Sequence, residues 1–440
     1  MSNESINVAV VSLGCPKNLV DSEVMLARLA EAGCVVGAPM DDADVVLINT
    51  CAFLQAARDE SLEVIAEAME HKKAGRVGRV VVAGCFPSRD GDGLFARAGG
   101  VDAIVGVNDR DQIVAAVTGE GHFSAVASAP QRSTTDSGRF RLTPRHTAYL
   151  RIAEGCSQHC TFCTIPRIRG PFRSKEPEVV LREASELVAD GAVELNIIAQ
   201  ETTGYGRDLD EPTDLADLLR LLDEQSGASW IRLLYTYPRR FTDELIEAIA
   251  DCPRVVKYVD IPLQHISDNV LKRMGRRVGR SDIETLLGKL RRRIGDVTIR
   301  TTFIVGFPGE TEQDFRELLD FVREFRFEAM GVFEFSPEQG TPAASMTDAP
   351  SAEVTTERAE KLMLAQQEIA FDANRRRVGQ TMEVLVDGVD ESGFCVGRHA
   401  GQAPEIDSRC ILTEQRPTGA FLRCVVDDWD GYDIICRPLE

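Results

Sequence analysis

The chain has 440 residues, 43% hydrophobic and 27% charged, with 70 acidic against 50 basic side chains and a formal net charge of −20. That is ordinary globular composition, long enough for two to four domains with separate cores. No apolar run approaches the ~20 residues of a membrane helix, and Glu4 and Asn7 interrupt a signal-peptide reading, so a cytoplasmic protein without membrane contact is expected.

Twelve cysteines in that compartment do not make a disulfide framework, because cytosolic thiols are kept reduced. Metal, cluster or nucleophile is the first reading for those that group together. The negative charge repels phosphate backbones and suits a basic protein partner.

Residues 1–120 repeat a pattern. "INVAVVSLGC", "ADVVLINTC" and "GRVVVAGC" are short Val/Ile-rich runs ending at Cys15, Cys51 and Cys85, with helix-like stretches between them. Strands alternating with helices predict a parallel-sheet α/β domain. Ligands gather beyond the carboxyl ends of such strands, where all three cysteines fall. Residues 121–146 lose the apolar periodicity, gain Ser, Thr, Pro and Arg, and read as a linker.

A second strand–helix series occupies 147–378, with strands expected in "AYLRIAE", "VELNIIAQ", "WIRLLYT", "KYVDIPL", "VTIRTTFIVGF" and "AMGVFEFS". Six units are too few for a closed eight-fold barrel, so an open, partial (β/α)6 barrel is expected. A long helix then leads to 379–440, whose short alternating runs predict a small antiparallel β-barrel.

"EGCSQHCTFC" follows the first strand of the partial barrel and places Cys156, Cys160 and Cys163 at its C-terminal mouth. A structural zinc ion takes four ligands, and His159, directly beside Cys160, is poorly placed to be the fourth. Three thiolates suit a cubane iron–sulfur cluster with one iron left open. Zinc and cluster both remain possible on spacing alone, but an open iron is useful only for a ligand that must react.

C-x3-C-x2-C after the first strand of a partial barrel resembles the radical S-adenosylmethionine superfamily. The resemblance implies a 4Fe-4S cluster whose open iron binds S-adenosylmethionine and cleaves it to a 5′-deoxyadenosyl radical, with Phe162 near the adenine. It also implies that the second strand end (Gln200, Glu201, Thr203) and the turn of "FIVGFPGETEQDF" (Gly306, Gly309) border the cofactor. A tight βα turn explains those glycines equally well.

Cys15, Cys51 and Cys85 at equivalent strand ends, with the barrel and the final β-domain, resemble the methylthiotransferases across the whole chain. That family implies a second 4Fe-4S cluster on these three cysteines and a C-terminal TRAM domain. "SLGCPKNLVDSE", "NTCAFLQAARDES", "IPRIRGPFRSK" and "YVDIPLQHISDNVLKRMGR" are most similar to the branch that modifies the β-carbon of an aspartate in small-subunit ribosomal protein twelve. The tRNA-modifying branch typically carries Gln-Met where this chain has Pro16-Lys17. Two departures are local: Phe86-Pro87-Ser88 replaces the usual Gln-Arg-Tyr after Cys85, and Lys175 stands where arginine is common.

Residues 381–440 hold twelve acidic side chains, five arginines and no lysine. Such a barrel repels RNA and attracts a basic ribosomal protein, making tRNA an unexpected partner. An external reductant, a flavodoxin or ferredoxin, is implied. The rivals are a tRNA methylthiotransferase and a non-enzymatic iron–sulfur carrier; the latter calls for four cysteines per cluster. His265 and the ungrouped Cys34, Cys252, Cys395, Cys410, Cys424 and Cys436 read as structural.

Overall fold

The structure, a computed structural model, describes residues 5–126 and 135–439. The first body is a six-stranded parallel sheet of β1 (Asn7–Ser12), β2 (Val35–Val36), β3 (Val45–Thr50), β4 (Arg79–Gly84), β5 (Ala103–Gly106) and β6 (Phe123–Ala125), ordered β2-β1-β3-β4-β5-β6. Its central strands are unbroken apolar runs because helices cover both faces. Val46, Ile48 and Val82 pack with Ile65 and Ala68 on one side, while Leu47 and Val81 pack with Met25 and Leu29 on the other.

The three cysteine-terminated strands β1, β3 and β4 are neighbours. Ser12 pairs with Asn49, and Thr50 with Gly84, so their carboxyl ends finish level on one edge. Of the expected linker, Phe123–Ala125 forms the edge strand β6 and residues 127–134 lie outside the described residues. Asp136, near its end, is buried against the second body.

That second body starts with β7 (Thr147–Arg151) and a two-stranded ribbon, β8 (Ala153–Glu154) with β9 (Arg173–Ser174). It continues through β10 (Glu194–Ile198), β11 (Trp230–Leu233), β12 (Val255–Asp260), β13 (Thr298–Val305) and β14 (Ala329–Glu334). The large sheet runs β7-β10-β11-β12-β13-β14, all parallel and open at both ends, the partial six-fold barrel expected from the unit count. Helix Ala352–Arg377 packs on β14 and leads onward.

The third body is a closed five-stranded barrel of β15 (Thr381–Val389), β16 (Cys395–His399), β17 (Cys410–Leu412), β18 (Phe421–Asp430) and β19 (Asp433–Pro438). It is antiparallel except where β17 pairs with β19 in parallel, which closes the ring. Cys395, Cys410, Cys424 and Cys436 lie in its core beside Val384 and Val426, filling space as small hydrophobes do.

The third body seals the amino end of the partial barrel. Arg398 meets Glu194 at the start of β10, Arg232 donates to Ala400 O at 2.7 Å, and Trp230 meets Phe421 edge-on at 4.9 Å. The first body faces the opposite, carboxyl end. Val20 of helix Pro16–Glu31 joins Tyr149, Ile198, Leu234, Leu385 and Ala403 in one cluster spanning the lumen. Each such fully buried aliphatic side chain contributes roughly 1.5–3 kcal/mol. No helix among the described residues is long and apolar enough to cross a membrane.

Candidate active site

The site begins with three Gly-Cys dipeptides. Gly14, Gly84 and Gly155 precede Cys15, Cys85 and Cys156 with φ of 91°, 98° and 78°. A Cβ would lie 2.7 Å from Cys51 Cβ at Gly14, 2.2 Å from Asn49 Oδ1 at Gly84 and 2.2 Å from Pro171 O at Gly155. Glycine alone supplies both the left-handed backbone and the clearance. The recurring dipeptide is a sequence signal for these turns that strand periodicity does not capture.

In the first body a buried polar lattice holds the turns. Asn18 Nδ2 donates to Leu13 O and Thr50 O at 2.9 Å each, Asn49 Nδ2 donates to Asn18 O at 2.7 Å, and Ser61 Oγ donates to Cys51 O at 3.0 Å. The conspicuous polar residues of "SLGCPKNLVDSE" thus fix strand ends to one another. Cys15, Cys51 and Cys85 come together, close enough that charge on one opposes charge on the others. Burial pushes the Cys85 thiol up to about 12.

The second trio sits on the loop after β8. Cys156 N donates to Gly170 O at 3.1 Å, Thr161 N to Met274 O at 2.9 Å and Cys163 N to Cys160 O at 3.2 Å. Arg276 Nη1 lies 3.8 Å from Cys160 Sγ. Burial raises Cys156 to about 11 and Cys163 to about 12. His159 lines a groove with Lys272 and Arg277.

Between the trios lies a buried ion network. Arg169 Nη2 lies 3.4 Å from Cys85 Sγ, 2.8 Å from Asn18 Oδ1 and 3.0 Å from Asp21 Oδ2, while its Nη1 is 3.0 Å from Glu154 Oε1. Arg151 binds Asp21, Asp136 and Glu154. Burial alone would raise the Glu154 carboxyl, but Arg169 and Arg151 outweigh it and hold it well below its usual range. Lys17, 6% exposed, points to the barrel mouth with Nζ 2.8 Å from the centroid of the Tyr235 ring. Burial lowers it to about 8.

The residues expected around the cofactor share this mouth. Gln200 Nε2 donates to Glu154 Oε1 at 2.7 Å, and its buried Oε1 has no protein partner. Glu201 is held by Gln158 Nε2 at 3.2 Å and by the Thr203 hydroxyl, which accepts from Tyr237 N at 3.1 Å. Phe162 meets Phe307 edge-on at 6.3 Å, joining the cysteine loop to the turn after β13. Gly306 and Gly309, at φ 74° and 81°, close that turn against Thr355 and Arg273. The helix beyond it starts at an N-cap, Thr311, in a capping box with Asp314. His265 is buried, which pushes it down to about 3, with Nδ1 accepting from Ser267 N at 3.0 Å and Nε2 without a partner among the described residues.

Among the described residues no three His, Cys, Asp or Glu side chains converge as the ligands of a single ion would. Two thiol trios suit multi-iron clusters, whose several irons spread the ligand sulfurs apart.

Three regions match known families: residues 150–322 the Radical SAM superfamily, 7–106 the uncharacterized protein family UPF0004 and 378–438 the TRAM domain. The chain is 44% identical to the ribosomal protein uS12 methylthiotransferase RimO of Geobacter sulfurreducens, covering 99% of each chain. It is 42% identical to the RimO of Trichlorobacter lovleyi and 43% identical to that of Pelotomaculum thermopropionicum, covering 98% of each chain in both cases. The chain belongs to the RimO family.

Solved structures share the fold at lower identity. The radical S-adenosylmethionine methyltransferase TsrM of Kitasatospora setae superposes with a TM-score of 0.55 at 17% identity, covering 77% of this chain and 75% of that one. OxsB, a cobalamin-dependent S-adenosylmethionine radical enzyme, gives 0.52 at 16%, covering 83% and 56%. Membership of the Radical SAM superfamily brings a 4Fe-4S cluster and S-adenosylmethionine, and the donors here fit them: three thiols on one loop, an adjacent guanidinium and the orphaned Gln200 carbonyl. The departures from the RimO-family motifs have local partners. Ser88 Oγ, in the altered segment after Cys85, accepts from Val107 N at 2.8 Å, and the adjoining Arg89 donates to Ala52 O at 2.7 Å and pairs with Glu338, while Lys175 binds Asp136 and Glu183 at 2.8 and 2.6 Å.

Proposed function

We infer that this protein methylthiolates the β-carbon of an aspartate in ribosomal protein uS12 by radical S-adenosylmethionine chemistry. The observation that carries the reading is two thiol trios linked through Arg169, which touches Cys85 and reaches Glu154, two residues before Cys156, in a chain alike over 99% of its length to a uS12 methylthiotransferase. An unactivated C–H bond has no acid–base route to substitution, so hydrogen removal calls for a radical.

Cys156, Cys160 and Cys163 hold the cluster that carries S-adenosylmethionine, and Cys15, Cys51 and Cys85 hold a second 4Fe-4S cluster that handles the sulfur. Bound there, cluster and cofactor supply the radical and the methyl group; the protein supplies position, charge and exclusion of water. Gln200 Oε1, Glu201 and Thr203 offer acceptors to the cationic methionyl end. Phe162 and Phe307 offer the apolar wall that an adenine needs, with Gly306 and Gly309 keeping the backbone of that turn open to approach. Arg169 and Arg276 place positive charge beside thiolates of the two trios, which favours the ionised, metal-binding form of each.

The acidic third body suits a basic ribosomal protein and disfavours tRNA. A cytoplasmic one-electron donor, a flavodoxin or ferredoxin, feeds the first cluster. The test is an anaerobic assay of the reconstituted enzyme with S-adenosylmethionine, sulfide and reductant, offered small ribosomal subunits and tRNA in parallel and read by mass spectrometry. A methylthio gain on one uS12 aspartate with tRNA unmodified is expected. Modified adenosine in tRNA with unmodified uS12 would overturn the reading.

A further inference from the structure

Lys17 is a buried cation of the active site that has no carboxylate partner among the described residues. Its side chain is 6% exposed, yet Nζ makes no hydrogen bond or ion pair with any described residue, and it rests on the ring of Tyr235. The acids nearest to it are already engaged by arginines. Arg169 has Glu154 and Asp21, and Arg151 has Asp21, Asp136 and Glu154. Asp260 has Arg300 at 3.0 Å and accepts from Tyr235 N at 2.9 Å. A buried ammonium without an anion is costly, so its retention points to an anion that arrives from outside.

Two placements identify that anion. Lys17 stands two residues beyond Cys15 and leans over Tyr235, which follows β11, so it reaches from the first trio to the barrel mouth. The role of cation to the first trio is already filled by Arg169, 3.4 Å from Cys85 Sγ. Resting on the aspartate methylthiotransferase reading, we propose that Lys17 Nζ binds the side-chain carboxylate of the substrate aspartate. The carbon to be modified is bonded directly to that carboxylate. One charge-assisted hydrogen bond to a fixed ammonium therefore holds the β-carbon two covalent bonds beyond a fixed oxygen, at the barrel mouth beside the trio that supplies sulfur. Lys17 is in this sense a positioning residue and a filter: an amide in place of the carboxylate leaves the ammonium buried and unpaired.

The test compares uS12 with its variant carrying asparagine at the modified position, bound anaerobically to reconstituted wild-type enzyme and to Lys17→Met. Wild type is expected to prefer the aspartate form by about 30-fold or more, and Lys17→Met to bind both forms within about 2-fold. Iron content and the cluster spectrum of Lys17→Met are expected to match wild type. The wild-type comparison alone is decisive if the variant does not fold, since equal binding of the two substrates would overturn the proposal. Retained preference in Lys17→Met also overturns it, as does loss of iron with preference intact, which would make Lys17 a cluster counter-ion. If wild type modifies neither substrate form, the methylthiotransferase reading itself fails, and this proposal with it.

Discussion

Arg169 Nη2 lies 3.4 Å from Cys85 Sγ, so a guanidinium from the partial barrel touches a thiol of the first body. The two residues are 84 positions apart, and the same side chain reaches Glu154, two residues before Cys156. Removing the guanidinium leaves Asp21 and Glu154 short of a partner in a dry site. Arg169→Met is expected to lose about 3–5 kcal/mol of stability and to bind less iron at Cys15, Cys51 and Cys85. Arg169→Lys is expected to rescue little, because one ammonium cannot span the fork that meets both carboxylates. Unfolding midpoints and iron analysis of both variants check this; wild-type values for Arg169→Met would make the network incidental.

Glu338 provides a second clasp between the same two bodies. Its Oε2 meets Arg58 at 2.6 Å and Arg89 at 3.1 Å, and its Oε1 accepts from Gln55 N at 2.8 Å, with the carboxylate 1% exposed. Glu338→Ala leaves two guanidinium groups facing a cavity and is expected to cost about 3–5 kcal/mol. Glu338→Gln, which keeps an acceptor, is expected to cost less. Hydrogen exchange over helix Gln55–Lys73 should quicken selectively in Glu338→Ala; unchanged protection there would mean that the apolar contacts alone hold the bodies together.

The legible part of this site was the part written locally. A Val/Ile run ending in cysteine announces a strand with a thiol at its carboxyl end, and three such runs announce a trio once their strands are adjacent, as β1, β3 and β4 are. The spacing of Cys156, Cys160 and Cys163 within one loop needs no tertiary information at all. Asp21, Arg151, Glu154 and Arg169 were not legible, because a salt bridge between residues 148 apart leaves no periodicity in either segment. The parallel pairing of β17 with β19 escaped for a related reason: alternation reveals a strand but not its partner's direction. Lys17 was visible as a motif residue, but its lack of a carboxylate partner is a property of the packed molecule.

The two trios, proposed as separate cluster sites, should be separable by substitution. Cys51→Ala with Cys85→Ala removes two thiolates from one trio and leaves the loop of Cys156 intact. Reconstituted iron is expected to fall from about eight to about four atoms per chain, with S-adenosylmethionine cleavage retained and methylthiolation lost. Cys160→Ala with Cys163→Ala is expected to lower iron equally but to abolish cleavage as well. About eight irons in either double variant would show that those cysteines are not ligands.

Glu194 makes the junction between the partial barrel and the third body acid-sensitive. It is buried at the start of β10, with Arg232 Nε at 2.9 Å and Arg398 Nη2 at 2.7 Å. Burial alone would raise its carboxyl, but the two guanidinium groups outweigh burial and lower it from 4.5 to about 2. A carboxyl depressed in the folded state is stabilising at pH values above its unfolded pKa. That contribution, on the order of 3 kcal/mol, is lost as pH falls from about 4.5 towards 2. Asp387, which holds Arg398 Nε at 2.8 Å and is also depressed, adds to the same loss. Glu194→Gln should therefore be destabilised relative to wild type at neutral pH, and the gap should narrow as the wild-type carboxylate is protonated. Chemical denaturation at pH 7, 4.5 and 3, read by Trp230 fluorescence at the junction with Phe421, follows both. A gap that stays constant down to pH 3 would mean that packing, not the Glu194 charge, holds the third body in place.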